Sequence, residues 1–413
     1  MVQIRPFKAI RPHDALVKEV VSLPYDVLSS TEAREIGNQN AKSFLHIDKS
    51  EIDLAKEQQP YEKVVYQKAA DNLKKFIEKQ WLIKDLTEHF YVYQLIMNNR
   101  VQTGLVVCTS VEDYLNGKIK KHEFTRAEKE LDRINHIDTA DANTSPIFLT
   151  YRDNQSINDI IQNWITNNHP LYDFIGFHEV THRVWAIKKK KTIEELTNLF
   201  SQQVDSLYIA DGHHRAESAV KVALKRREQF PDATPEIEFN FFLSVLFPEK
   251  QLAIMDYNRV VNVPIVSDYF KKLSEAFEIQ KKGTIPFQPK EPKTMGMYLN
   301  KEWYELKAKT TVQSKDPVKG LDVSILQDQI LTPIFGIEDI RTDDRIDFIG
   351  GIRGMQELAR KVDSEKFSVA FSMYPTSMED LLNVADSREV MPPKSTWFEP
   401  KLLSGLFVHD LES

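Results

Sequence analysis

The run Asp211-Gly212-His213-His214-Arg215 holds the densest chemistry in the chain. It lies between the apolar stretch Leu207-Tyr208-Ile209-Ala210 and a segment with Ala216, Ala219, Val220, Ala223 and Leu224 at helical spacing. The pattern predicts a short strand, a turn at Gly212 and a helix that starts at once. The first N–H groups of a helix have no partner within it, and the helix dipole makes that end positive. A cation there is unfavourable by about 0.3–1 kcal/mol, so three potential cations at one helix start favour an anionic ligand. Arg215 can grip phosphate through two parallel hydrogen bonds. Gly212, His214 and Arg215 are therefore candidates for binding phosphate or a nucleotide, and His213 and Asp211 for proton transfer. Two other readings stay open: Arg215 paired with Asp211 or Glu217 in a structural turn, or Asp211, His213 and His214 holding a metal ion. No HExxH or comparable spacing supports the metal, and no metal ligand is assigned.

Three further segments carry candidate groups. Thr125 with Glu128 three residues on forms a capping-box pattern, predicting a helix that starts at Thr125. Lys129, Arg133 and His136 then fall near one face, with Leu131 and Ile134 on the expected buried side. Lys121, Arg133 and His136 are candidates for a second anionic group, and His122 and Glu123 for acid–base work; a solvated helix face explains the cations equally well. Tyr25-Asp26 follows Pro24 in a restrained turn, either structural or in contact with substrate. Met391 to Lys401 contains Pro392, Pro393 and Pro400, and such a stiffened loop suits the wall of a binding site. Lys394, Ser395 and Thr396 are its candidate substrate contacts; the alternative is a packed C-terminal strap.

The elements that must position these groups belong to a mixed α and β chain of 413 residues. Apolar residues make up 41% and charged residues 28%, an ordinary globular balance, and the net charge of −7 argues against general polyanion affinity. The one cysteine, Cys108, excludes an intramolecular disulfide framework and sits in an apolar run, as a core residue would. The 13 glycines are about half the usual share, which excludes glycine-rich architectures. Gly350, Gly351 and Gly354 do not complete a dinucleotide fingerprint, and no Walker A, Asp-Phe-Gly or Gly-x-Ser-x-Gly motif occurs. Phe90–Ile96 and Val101–Cys108 read as a hairpin, and Lys188–Lys191 as an exposed loop. The Lys-, Pro- and Thr-rich stretch 283–320 suggests a boundary, dividing the chain into regions 1–282 and 283–413. With no apolar h-region and no run near 18 apolar residues, a cytoplasmic protein without membrane contact is expected.

The chain as a whole resembles the bacterial domain-of-unknown-function family 1015. Asp-Gly-His-His-Arg is the most specific mark, joined by Leu23-Pro24-Tyr25-Asp26-Val27, Lys121-His122-Glu123 with Asp132-Arg133 and His136, and Met391-Pro392-Pro393-Lys394-Ser395-Thr396. Locally, Gly212-His213-His214-Arg215 is similar to the phosphate-holding turn of the ParB, sulfiredoxin and free-serine-kinase superfamily. His213 stands where sulfiredoxins carry their reactive cysteine, so sulfinic-acid reduction is excluded. The resemblance implies an α+β fold with a ParB/sulfiredoxin-like phosphate-binding core and additional α/β elements. It also implies a small-molecule phosphotransferase or phosphatase, acting on serine or phosphoserine with Mg²⁺ and ATP or ADP. Two alternatives stand beside it: a non-enzymatic nucleotide-binding ParB-like regulator, and a metal-dependent hydrolase. The expected partner is a small phosphorylated metabolite or nucleotide; without a basic recognition helix, nucleic acid is not expected.

Overall fold

The computed structural model describes residues 1–412. Two compact units are present, and both combine sheets with helices, an α+β architecture. The first comprises Met1–Lys120, Thr125–Leu252 and the chain from Pro400 onward; the second comprises Lys121–Phe124 and Ala253–Glu399. Residue 283, where a boundary is expected from composition, falls within a strand of the second unit.

The first unit is built on a nine-stranded sheet. Its strands are β1 (Ile4–Arg5), β2 (Phe90–Met97), β3 (Arg100–Ser110), β4 (Ile119–Lys120), β5 (Ile147–Tyr151), β6 (Tyr172–Ile175), β7 (Thr181–Ile187), β8 (Leu207–Asp211) and β9 (Phe241–Pro248). In space they run β4-β8-β5-β9-β3-β2-β7-β6, with β1 beside β3. Pairs β4–β8 and β5–β9 are parallel, and the others are antiparallel. Asn98 (φ 51°) and Asn99 (φ 64°) turn the expected hairpin β2–β3, a left-handed geometry that asparagine tolerates. Every residue of β5 and β9 is buried, which is why those strands read as continuous apolar runs. Cys108 is buried in β3, as expected.

Three helices of this unit matter for the site: α1 (Lys63–Glu78), α2 (Ala127–Ala140) and α3 (His213–Gln229). α2 packs against both α1 and α3. Its start differs from the capping-box expectation: Arg126 is the N-cap residue with no side-chain cap, and the Thr125 hydroxyl donates to the Glu130 carboxylate. The face assignment of α2 is overturned in part, although Lys129 is exposed and Ile134 packs against the core as expected. Arg133 and His136 are buried while Leu131 is 58% exposed, because polar partners inside the unit draw both side chains inward. Lys188 and Lys189 are exposed as expected, but the basic run continues into a helix, Lys190–Gln203.

The second unit holds a six-stranded antiparallel sheet. Its strands are β10 (Tyr257–Val261), β11 (Phe277–Gly283), β12 (Thr294–Leu299), β13 (Glu302–Ala308), β14 (Ile346–Gly350) and β15 (Val369–Met373), in the order β11-β13-β12-β15-β10-β14. α4 (Gly354–Asp363) buries Leu358 against Val260, Tyr298, Trp303 and Ala370. Among the described residues, no helix is long and apolar enough to cross a membrane.

One ionic clamp in the first unit sets a pH dependence. His46 Nδ1 lies 2.6 Å from an Asp53 oxygen, and its Nε2 lies 3.2 and 3.1 Å from the carbonyls of Gly37 and Asn40. All three partners accept, so both ring nitrogens must donate and the imidazole is charged. Burial opposes that charge, but the Asp53 carboxylate and the carbonyls outweigh it and raise the His46 pKa above 6.5. Asp53 moves below 3.8: burial pushes it up, and its bonds with His46 and Asn72 pull it down further. The His46 contribution is therefore full below pH 6.5 and lost as pH rises through the raised value. That of Asp53 is full above pH 3.8 and lost as pH falls through the lowered value. We expect His46→Gln to cost about 1 kcal/mol more at about pH 5.5 than at about pH 8.5, read from urea unfolding at both values.

Candidate functional site

The strand–turn–helix expected at Asp211 is formed, with β8 ending at Asp211 and α3 beginning at His213. Gly212 sits between them at φ 93°, ψ 33°, a left-handed conformation that a side chain resists. A Cβ there would also stand 3.0–3.1 Å from the Arg215 guanidinium. Its carbonyl receives the Ala216 amide at 3.0 Å, and its amide donates to the Asp211 carboxylate at 2.9 Å. No side chain caps the start of α3, so this helix end keeps its positive character.

Arg215 is 7% exposed and is held by one hydrogen bond, donated by a terminal nitrogen to the Pro146 carbonyl. The Asp211 carboxylate stands 3.7 Å away, close enough for attraction but beyond hydrogen-bond length. Burial pulls the guanidinium pKa down, and Asp211, Asp26, Tyr25 and Asp48 more than restore it. A guanidinium has five N–H donors, so most of those on Arg215 remain for a ligand. Arg215 lines a cleft together with Tyr25, Arg133, His136, Thr144, Ser145 and the apolar Ile137, Ile147, Ala219 and Leu243. With its open mouth the cleft measures about 350 Å³.

Arg133 forms the second cationic wall. Its Nε donates to Asp132 at 2.9 Å, and its guanidinium lies 4.0 Å from the centre of the Tyr25 ring. Burial raises the Tyr25 phenol, against the pull of Arg133, so it stays protonated. Beneath the arginines, Asp48 is enclosed: Thr144 donates to one oxygen and Ser145 to the other, each at 2.9 Å. Burial raises Asp48, opposed by Ser404, Arg133, Thr144 and Ser145. Thr144 has one proton and gives it to Asp48, so His136, 3.0 Å from the same hydroxyl, must donate through Nε2. Burial, then the Arg133 charge, holds His136 well below 6.5 and therefore neutral.

His214 has a different duty from its neighbours. Its Nε2 accepts the Arg126 amide at 3.0 Å, tying the start of α3 to the start of α2. A nitrogen that accepts from an amide carries no proton, so the ring is neutral with its proton on Nδ1. Burial lowers its pKa, in agreement. Asp211 also receives Lys401, at 3.4 Å. Burial pushes Asp211 up, but Lys401, Arg215 and His213 together hold it well below the carboxylate range. His213 is buried at the same turn.

The structure thus gathers Tyr25, Arg133, His136 and Arg215 around one cleft, with Gly212, His213, His214 and Asp211 in the adjoining turn. Asp26 is exposed beside Tyr25. Lys121, His122, Glu123, Lys394, Ser395 and Thr396 belong to the second unit. There the Met391 amide donates to the His122 carbonyl at 2.8 Å, joining those two expected segments. Lys401, part of the proline-stiffened segment expected to line a site, reaches Asp211, whereas Asp48, Thr144, Ser145 and Ser404 escaped the sequence reading, since each meets its partner across a long stretch of chain. Ser145, 97 residues from Asp48, had no local signal at all.

A family model described as Protein of unknown function (DUF1015) matches residues 4–324. No curated protein matches the chain. Among solved structures, free serine kinase in complex with AMP is 12% identical at a TM-score of 0.34, over 71% of this chain and 86% of that chain. SbnI with C-terminal truncation from Staphylococcus aureus is 13% identical at a TM-score of 0.38, over 72% of this chain and 85% of that chain. A conserved hypothetical protein from Pyrococcus furiosus is 12% identical at a TM-score of 0.33, over 71% and 90%. These likenesses are too distant to carry a substrate or a mechanism.

The turn makes its own prediction. Gly212→Ala should lower stability by about 1–2 kcal/mol in urea unfolding, from left-handed strain and crowding of Arg215. An unchanged midpoint would show that the turn relaxes freely and does not fix the guanidinium.

Proposed function

This chain belongs to the DUF1015 family, and from that premise we propose that its first unit is a small-molecule phosphotransferase or phosphatase. The observation that carries the reading is the buried Arg215 guanidinium, with donors to spare, beside an uncapped helix start and together with Arg133 in one cleft. Arg215 and the first amides of α3 grip the oxygens of a phosphoryl group, and Arg133 meets them in the same cleft. His214 adds its Nδ1–H. Fixed donors aimed at a group whose charge shifts during transfer supply the larger part of such catalysis. Asp211, held strongly acidic, is a poor base; it orients the turn, and proton transfer falls to His213.

In this reading the substrate is serine or phosphoserine, and the phosphoryl acceptor or donor is ADP, ATP or water. The ParB/sulfiredoxin-like description of the core is part of the same proposal and rests on the Gly-His-His-Arg turn. Mg²⁺ arriving with a nucleotide would neutralise phosphoryl charge. Asp26 is the exposed carboxylate available to it, while Asp48 is enclosed by hydroxyls and Asp211 is paired with Lys401.

Phosphorus NMR of phosphoserine with the protein, with and without ADP and Mg²⁺, tests the reading. Wild type should turn over phosphoserine, and Arg215→Ala should slow it by about 10²–10³-fold. Turnover undiminished in Arg215→Ala would remove the proposal. Nucleotide-dependent thermal stabilisation without turnover would favour the regulator.

A further inference from the structure

Four arginines of the described chain are buried: Arg11, Arg133, Arg215 and Arg259. Three have a carboxylate within ion-pair reach: Asp85 at 3.0 Å from Arg11, Asp132 at 2.8 Å from Arg133 and Asp211 at 3.7 Å from Arg215. Arg259, on β10 in the second unit, is the most deeply buried at 1% exposure, and none of its partners is an acid. Its two terminal nitrogens donate to carbonyls, of Tyr257 and, at 2.9 Å, of Lys394. The guanidinium lies 5.6 Å from the centre of the Phe348 ring. Asp256, three positions away, instead accepts from the Asn258 amide. A buried charge with only neutral acceptors is expensive to maintain. The cost shows in its acidity: burial lowers the guanidinium to about 10.

The group that covers Arg259 is itself strained. Lys394 adopts φ 60°, a left-handed conformation that a lysine resists, and this conformation accompanies its carbonyl contact with Arg259. Its side chain is exposed, with Nζ 5.7 Å from the centre of the Tyr257 ring. The loop is otherwise held at its start by the Met391 amide on the His122 carbonyl at 2.8 Å, and further on by the Thr376 hydroxyl on the Ser395 carbonyl at 2.9 Å and the Ser395 hydroxyl on the Pro392 carbonyl.

We propose that Arg259 is the buried half of an oxyanion site in the second unit, closed by the loop Met391–Thr396. A phosphate or carboxylate group displaces the Lys394 carbonyl from Arg259, and the Lys394 ammonium closes over it. The displacement supplies the missing counter-charge and releases the left-handed strain. The Lys394 carbonyl is the placeholder for the anion. This site stands apart from the reading of the first unit and does not depend on it.

The test uses the full chain carrying Arg215→Ala, so that the first unit's cleft does not contribute. Melting is followed with inorganic phosphate, with acetate and with sodium chloride at matched ionic strength. Phosphate or acetate at about 10 mM should raise Tm by about 2–4 °C over chloride, and the better of the two names the preferred oxyanion. Adding Arg259→Met should abolish that shift without lowering the ligand-free Tm, because the variant removes an unbalanced buried charge. No shift in the parent, or a shift that survives Arg259→Met, overturns the proposal. Should Arg259→Met not fold, Lys394→Gly decides. It relieves the φ strain and deletes the ammonium, so the anion dissociation constant should rise at least about threefold, and an unchanged constant overturns the site.

Discussion

Keeping Arg215 charged away from water is the constraint around which the first unit is arranged. A guanidinium in that position needs acceptors and counter-charge, and the unit draws them from every part of its sequence. Pro146 offers a carbonyl, Asp211 stands at ion-pair distance, and Asp26 and Asp48 add their fields. The left-handed turn at Gly212 follows from the same need, since a side chain there would meet the guanidinium. Lys401 then balances Asp211, and three hydroxyls, of Thr144, Ser145 and Ser404, settle Asp48. Removing any one partner leaves another charge unmatched, so the cleft is best regarded as one electrostatic object.

The two neutral histidines beside the cleft differ in which nitrogen carries the proton, and each choice is imposed from outside the ring. Thr144, having spent its proton on Asp48, obliges His136 to donate from Nε2. The Arg126 amide obliges His214 to accept at Nε2. Both rings are also held below their ordinary pKa by burial. Their hydrogen-bonding roles are consequently steady across neutral pH, and the permanent cations of the cleft are the arginines. His46, with three acceptors around it, follows the opposite rule within the same unit.

The turn at Asp211 was legible because its whole signal is local: an apolar strand, one glycine and a helical repeat within a dozen residues. The hairpin of β2 and β3 was legible for the same reason. The face of α2 was not. Periodicity assigns apolar residues inward and cations outward, whereas Arg133 and His136 are drawn inward by Asp132, Asp48, Thr144 and Tyr25. Asp48 lies 96 residues from Thr144, a distance at which sequence pattern carries no information. Arg259 was hidden differently, as one polar letter in a strand whose role is evident only once its partners are found to be carbonyls.

The order of the chain within the first unit has a consequence for how the protein is made. Lys401 and Ser404, which balance Asp211 and complete the shell around Asp48, come from a strap separated from Leu252 by the 147 residues of Ala253–Glu399. At about 5–20 residues per second, a ribosome needs roughly 7–30 s to cross that interval. Throughout it the nascent sheet is complete in its nine strands, yet Asp211 and Asp48 lack their last partners. The cleft therefore comes into being only after Lys401 and Ser404 have been made, and a chain stopped within Ala253–Glu399 would hold all nine strands around an unfinished site.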